Sequence, residues 1–281
     1  MFRKTENVIT PTPSFLHSYS LCSMRVMPIR VFTGSGGFVQ MRASFNRNWK
    51  HYLQEALGLG IFMVSACFFS ALMEANNSSV QKAIPDTFTR SLIIGALMGG
   101  TALLIFYSPF TSPSGSQINP AVTLSFLWLG KMCQWDAFFY IIFQFIGGTL
   151  AVYLMQYLVG DNLINLPVNS AVTIPGTAGI IPALITEFTI AFLTMSMVLF
   201  TSNHPKFKKY TRIIAACLVF CWVVIAGPIS GFGMNPARSF ASALPSHTWT
   251  AFWIYIFIPV AGMIAAAEFF DWFNYNKGIY E

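Results

Sequence analysis

Charge is what this chain has least of. Asp, Glu, Lys and Arg make up 9% of its 281 residues, against roughly a quarter in soluble domains. So few charges cannot cover a soluble surface of this size. Catalytic and metal-binding side chains are scarce as well. The four histidines are His17, His51, His204 and His247. They fall in the N-terminal stretch, at the ends of apolar runs or in loops. No nucleophile with its base and no ligand cluster emerges, so the expectation is no enzyme, no metal and no cofactor. The five cysteines, Cys22, Cys67, Cys133, Cys217 and Cys221, are odd in number and lack metal-ligand spacing. They read as small buried hydrophobes. The net charge of +6 and pI near 9.1 raise nucleic acid as a partner. The basic residues lie in the tail and loops, however, which membrane topology explains; no nucleic-acid partner is expected.

Long apolar runs are what the chain has instead. It is 55% hydrophobic, with mean hydropathy +0.59. Six segments stand out, at about 52–73, 86–107, 134–159, 180–201, 211–229 and 249–273. Each is about as long as a bilayer-spanning helix requires. Small residues inside them, such as Gly58, Gly60, Gly95, Gly99 and Gly100, suit close helix packing in lipid.

Lys and Arg set the orientation. Arg3, Lys4, Arg25, Arg30, Arg42, Arg47 and Lys50 precede the first span, and Lys206, Lys208, Lys209 and Arg212 join spans four and five. With six spans both groups share one side with Lys131 and Lys277, leaving Lys82 and Arg90 opposite. The positive-inside rule places both termini in the cytoplasm, in a cell or plasma membrane by default. Residues 1–48 are basic and rich in Ser and Thr, without an apolar core, and so make a poor secretory signal. Three readings stay open for them: a disordered tail, an organelle-targeting segment, or an over-extended start with translation beginning at Met41. The expected organisation is a tail (1–48), a first repeat (49–160), a second, inverted repeat (161–274) and a short tail (275–281).

The repeat is marked by Asn-Pro-Ala, which occurs as Asn119-Pro120-Ala121 and as Asn235-Pro236-Ala237. Each follows a span carrying a glutamate, Glu55 or Glu187, and a second apolar span. Three spans per repeat invert the second copy in the membrane. Each box opens a stretch of about three turns, too short to cross. Pro in the first turn costs no hydrogen bond, so each Asn reads as an N-cap. Two half-helices then aim their positive ends at the bilayer centre. The preceding loops, TSPSGSQI and GPISGFGM, are irregular backbone, tolerated at that depth only inside protein or around a water-filled path.

These features resemble the aquaporins, the major intrinsic protein family. The likeness covers about residues 50 to 273 and includes SGSQINPAVT, GFGMNPARS, QFIGG (Gln144 to Gly148) and the two glutamates. It implies an all-α membrane fold of six transmembrane helices and two re-entrant half-helices. It implies passive, proton-excluding flux of water, with small neutral solutes as a further class, and a homotetramer in the lipid bilayer. Such pores select by diameter, lining donors and positive half-helix ends. The resemblance assigns solute hydrogen bonds to Asn119 and Asn235, a carbonyl ladder to Ser116–Ile118 and Phe232–Met234, and loop support to Glu55 and Glu187. Counting from the boxes gives a filter of Gly99, Val223, Phe232 and Arg238, with Met98 or Gly100 replacing Gly99 if the count through SPFTSPSG slips. Gly99 and Val223 imply a wide, greasy constriction. Phe232 resembles the glycerol-conducting branch; Ser239 and Ala243 resemble the water branch. The alternatives are therefore an aquaglyceroporin-type facilitator for glycerol, urea, ammonia or hydrogen peroxide and, more distantly, an ion-coupled transporter.

Overall fold

The computed structural model describes residues 35–276. Among these, all regular structure is helical. The order is α1 (Ser35–Glu74), α2 (Ser79–Ala83), α3 (Thr87–Tyr107), α4 (Pro120–Trp128), α5 (Gln134–Val159), α6 (Asp161–Ile164), α7 (Ile180–Asn203), α8 (Thr211–Ile225), α9 (Gly227–Ser230), α10 (Pro236–Ser246) and α11 (Phe252–Asn276). Five described helices, α1, α3, α5, α7 and α11, are long and apolar enough to cross a bilayer. The expected fifth span, 211–229, is divided. Its main part, α8, has 15 residues and reaches only about 22 Å at 1.5 Å per residue. Pro228 stops it, because a proline ring clashes with the carbonyl four residues back. The chain turns through α9 and enters the second Asn-Pro-Ala loop.

The N-terminal boundary also moves. Residues 35–48, expected as tail, are helical and continuous with the first span. They are held by α5: the Phe45 ring lies edge-on to Phe139 at 5.1 Å, and Asn48 Nδ2 donates to Asp136 at 3.0 Å. The Tyr52 hydroxyl donates to the same carboxylate at 2.6 Å. Met41 is therefore inside a helix. The readings of residues 1–34, and of the last residues 277–281, lie outside the described residues.

The two halves pack alike. α1 lies along α5, and α7 along α11; α3 and α8 meet between the halves. Each half-helix crosses to the other repeat, α4 packing on α11 and α10 on α5. Close approach explains two glycines. A Cβ on Gly147 would lie 2.2 Å from the Ala56 carbonyl, and one on Gly262 would lie 2.7 Å from the Phe188 carbonyl. Ala56 follows Glu55 and Phe188 follows Glu187, so one contact recurs in both repeats. Where the end of α1 meets the start of α3, Arg90 pairs with Glu74 at 3.0 Å and donates to the carbonyls of Ile84 and Pro85.

Candidate functional site

Each Asn-Pro-Ala box begins a half-helix, and the capping geometry explains why. Asn119 and Asn235 have extended backbones, with proline in the first helical turn behind each. Asn119 Oδ1 accepts from the Ala121 N–H at 2.9 Å. Asn235 Oδ1 accepts from the N–H groups of Ala237 (3.1 Å) and Arg238 (3.2 Å). These bonds satisfy donors that a helix start leaves unpaired, and they fix which side-chain atom is oxygen.

The amide nitrogens then cross between the repeats. Asn119 Nδ2 donates to the Met234 carbonyl at 3.0 Å, and Asn235 Nδ2 donates to the Ile118 carbonyl at 2.7 Å. An amide has two N–H donors. One is spent on the opposing loop, and both asparagines line the central cavity. The two half-helices thus meet through their caps.

The glutamates hold the loops that carry these caps. Fully buried Glu55 accepts from Ser114 Oγ (2.6 Å), Gln117 N (2.9 Å), Ile118 N (2.6 Å) and Gln144 Nε2 (2.8 Å). Equally buried Glu187 accepts from Ser230 Oγ (2.6 Å), Gly233 N (2.8 Å) and Met234 N (2.5 Å). A buried carboxylate is costly unless hydrogen-bonded; here the loop backbones supply the donors. The backbone shape makes those N–H groups converge. Gly115, Ser116 and Ile118 have positive φ, and so do Gly231, Phe232 and Met234. This conformation is unfavourable for side-chain-bearing residues, and the glutamates offset its cost. Gly233 is required for a different reason: a Cβ there would lie 2.5 Å from the Tyr255 ring and 3.0 Å from Glu187 Oε2.

Several supporting residues carried no assignment from sequence. Tyr140 donates to the Ser114 carbonyl and Tyr255 to the Ser230 carbonyl, both at 2.8 Å. Each tyrosine lies two helical turns before the close-packed glycine of its helix. Ser114 and Ser230 bridge loop to glutamate. Their signal was in the sequence: both loops read Ser-Gly, three residues, then Asn-Pro.

The cavity between the halves has a volume of about 140 Å³. Loop residues Gly115–Asn119 and Phe232–Asn235 form part of its wall, and Phe62, Val122, Val198, Val219 and Met263 give an apolar side. Arg212 lines it too, with its guanidinium 5.2 Å from the Tyr107 ring centre. Of the four expected filter residues, Phe232 and Arg238 line the cavity. Arg238 Nη1 is buried without a hydrogen-bond partner. Val223 lies one turn beyond Val219 on α8 and is partly buried. Gly99 faces elsewhere: a Cβ on it would lie 3.0 Å from the Ala216 carbonyl and 3.2 Å from Phe220 Cβ, both on α8. It is a helix-packing glycine. Ala102 and Phe106 carry the cavity face of α3, and one turn before Ala102 on that face is buried Met98. Counting from Asn119 runs through the 3-10 turn Ser112–Ser114, where helical register does not carry.

Among the described residues, no three His, Cys, Asp or Glu side chains are grouped to hold a metal. Cys67, Cys217 and Cys221 are free thiols.

Comparison with known proteins agrees with this geometry. Aquaporin NIP1-1 of Zea mays is 29% identical over 187 residues, which is 66% of this chain and 65% of the relative. Aquaporin NIP1-4 of Oryza sativa subsp. japonica is 32% identical over 173 residues, 61% of this chain and 62% of the relative. The chain thus spans less than two thirds of the length of these relatives. The aquaglyceroporin from Plasmodium falciparum shares the fold, with a TM-score of 0.66 at 17% identity, covering 79% of this chain and 95% of that one. The model of the family described as Major intrinsic protein matches residues 42–270. The chain is an integral membrane protein of the major intrinsic protein family.

Proposed function

We propose that the protein is a transmembrane channel that passes water and small neutral solutes and excludes protons. The observation that carries this reading is the crossed pair of asparagine amides. Each spends one N–H on the opposing loop and keeps a second for a solute in the cavity. A water bound to both donors presents its oxygen to them and cannot relay a proton through that point, and the two half-helix ends repel positive charge. Arg238 extends the barrier: its half-buried guanidinium opposes cations and offers donors to neutral solutes. Glu55 and Glu187 serve as loop anchors, since their oxygens are engaged by loop donors; this disfavours the coupling carboxylate of an ion-driven transporter. No chemical reaction is part of the reading.

The solute-conducting alternative has its own support. Phe232 lines the cavity and the α8 side, through Val219 and Val223, is apolar. On α3 the wall residue in this reading is Met98, not Gly99, which narrows the constriction without making it polar. The homotetramer, the cytoplasmic termini and a cell-membrane location complete the proposal; the positive-inside distribution of Lys and Arg supports the cytoplasmic termini. Light-scattering shrinkage of proteoliposomes tests it, under a sucrose gradient and then a glycerol gradient. Fast, linear, ion-independent water flux is expected, with glycerol conducted. Saturating, ion-dependent flux overturns it.

A further inference from the structure

Besides Arg238, the helical wall of the cavity is apolar except at Thr211 and Arg212, which open α8, and at Thr194. This residue, on α7, lines the cavity together with Val198 one turn later, and its hydroxyl is held in a defined way. Trp222, on α8, donates its indole N–H to Thr194 Oγ1 at 2.8 Å. An indole nitrogen is only a donor, so the threonine oxygen must accept. The hydroxyl proton is directed at Met234 Sδ, 3.4 Å away. A thioether is a weak acceptor, so this hydroxyl readily turns its hydrogen bond to a better one. The oxygen also has a second lone pair. Met234 immediately precedes Asn235, and its carbonyl takes the Asn119 amide. Thr194 therefore stands at the level of the crossed asparagines.

We propose that Thr194, positioned by Trp222, is a specificity-determining residue of the channel, selecting solutes with hydrogen-bonding groups on more than one side, such as small polyols and urea. The role rests on the channel reading above. A water molecule can turn to satisfy itself at the asparagines alone. A polyol or urea is too large to turn in a narrow path, and a wholly apolar opposing wall would strip its second polar edge without replacement. Thr194 supplies that replacement, exchanging its contact with sulfur for one with the solute. Trp222 touches the threonine rather than the solute, and so acts as a positioning residue.

The test measures water, glycerol and urea permeability of the full chain in proteoliposomes, for wild type, Thr194→Val, Thr194→Ser and Trp222→Phe. Thr194→Val removes the hydroxyl at nearly constant volume. It is expected to keep water permeability within about twofold and to cut glycerol and urea permeability about fivefold, the loss of one neutral hydrogen bond. Thr194→Ser, which keeps the hydroxyl, retains the wild-type ratio. Trp222→Phe shifts the ratio in the same direction as Thr194→Val, by less. If Thr194→Val leaves the solute-to-water ratio unchanged, whether both fluxes stay or both fall, the role of Thr194 is overturned while the channel reading stands. If wild type passes water but neither glycerol nor urea, the assigned solute class is wrong and the role falls with it. If wild type passes nothing, the channel reading fails first.

Discussion

Replacing Glu187 tests the loop-anchor reading most directly. Its Oε1 serves Ser230 Oγ and Gly233 N; its Oε2 serves Met234 N. In Glu187→Gln one of these oxygens becomes an NH2 group. If the amide oxygen takes the Oε1 place, the Met234 N–H faces another donor; if it takes the Oε2 place, the Gly233 N–H does. Ser230 can reverse its hydroxyl, but a backbone N–H cannot. One buried donor is orphaned either way, at about 1–3 kcal/mol, and the remaining bonds lose their charge assistance, adding about 1 kcal/mol. The expected loss is about 2–4 kcal/mol. Glu187→Leu removes every carboxylate acceptor and orphans two backbone donors, while Ser230 keeps the Ala226 carbonyl; it should cost more, about 3–6 kcal/mol. The assay is the thermal unfolding midpoint of the purified protein in detergent, read beside proteoliposome water flux. The order wild type, Glu187→Gln, Glu187→Leu is expected in both, because relaxing the positive-φ backbone at Phe232 and Met234 moves cavity wall. A Glu187→Leu protein with the wild-type midpoint and wild-type flux would refute the reasoning.

Other perturbations follow from the same geometry. Gly147→Leu should abolish assembly of α1 on α5, seen as loss of a monodisperse product, whereas Gly100→Ala, with no atom within 4 Å of its Cβ site, should be neutral or add about 0.5–1 kcal/mol of stability. Met98→Ala should raise the glycerol-to-water permeability ratio, while Gly99→Ala should lower the unfolding midpoint by forcing α3 away from α8. Arg238→Ala should admit monovalent cations, measured as conductance across planar bilayers. Outside the membrane, Asp86 caps α3: the Thr89 hydroxyl, then the Thr89 N–H, hold its carboxyl below the usual carboxylate value. A depressed folded pKa means the cap contributes above the unfolded value and is lost as pH falls through the lowered folded one. Amide exchange in the first turn of α3, corrected for intrinsic rate, should therefore quicken only in acid, and at neutral pH in Asp86→Ala.

Much of this molecule was legible in one dimension. Apolar runs of bilayer length, the repeated Asn-Pro-Ala and a glutamate two spans ahead of each copy sufficed for the all-helical membrane fold, five of the six expected spans and both half-helices. These features are local in sequence and follow from what lipid demands of a backbone. Register across a loop is different. Gly99 lay at the counted position, yet which residue of α3 turns toward the cavity depends on how α3 packs against α8 and on a 3-10 turn that helical counting does not follow. The start of α1 was hidden likewise, because Asn48 takes the acceptor Asp136, and Phe45 the Phe139 ring, from α5, more than eighty residues away. Tyr140 and Tyr255 look like ordinary polar residues in sequence; folding alone brings them to the loop carbonyls of Ser114 and Ser230. So does the pairing of Trp222 with Thr194, two residues on different helices whose hydrogen bond exists because α7 and α8 bound one cavity. Periodicity and composition specify what each segment must bury. Which side chains then meet is fixed by close packing between segments, where a single methyl group decides who can approach.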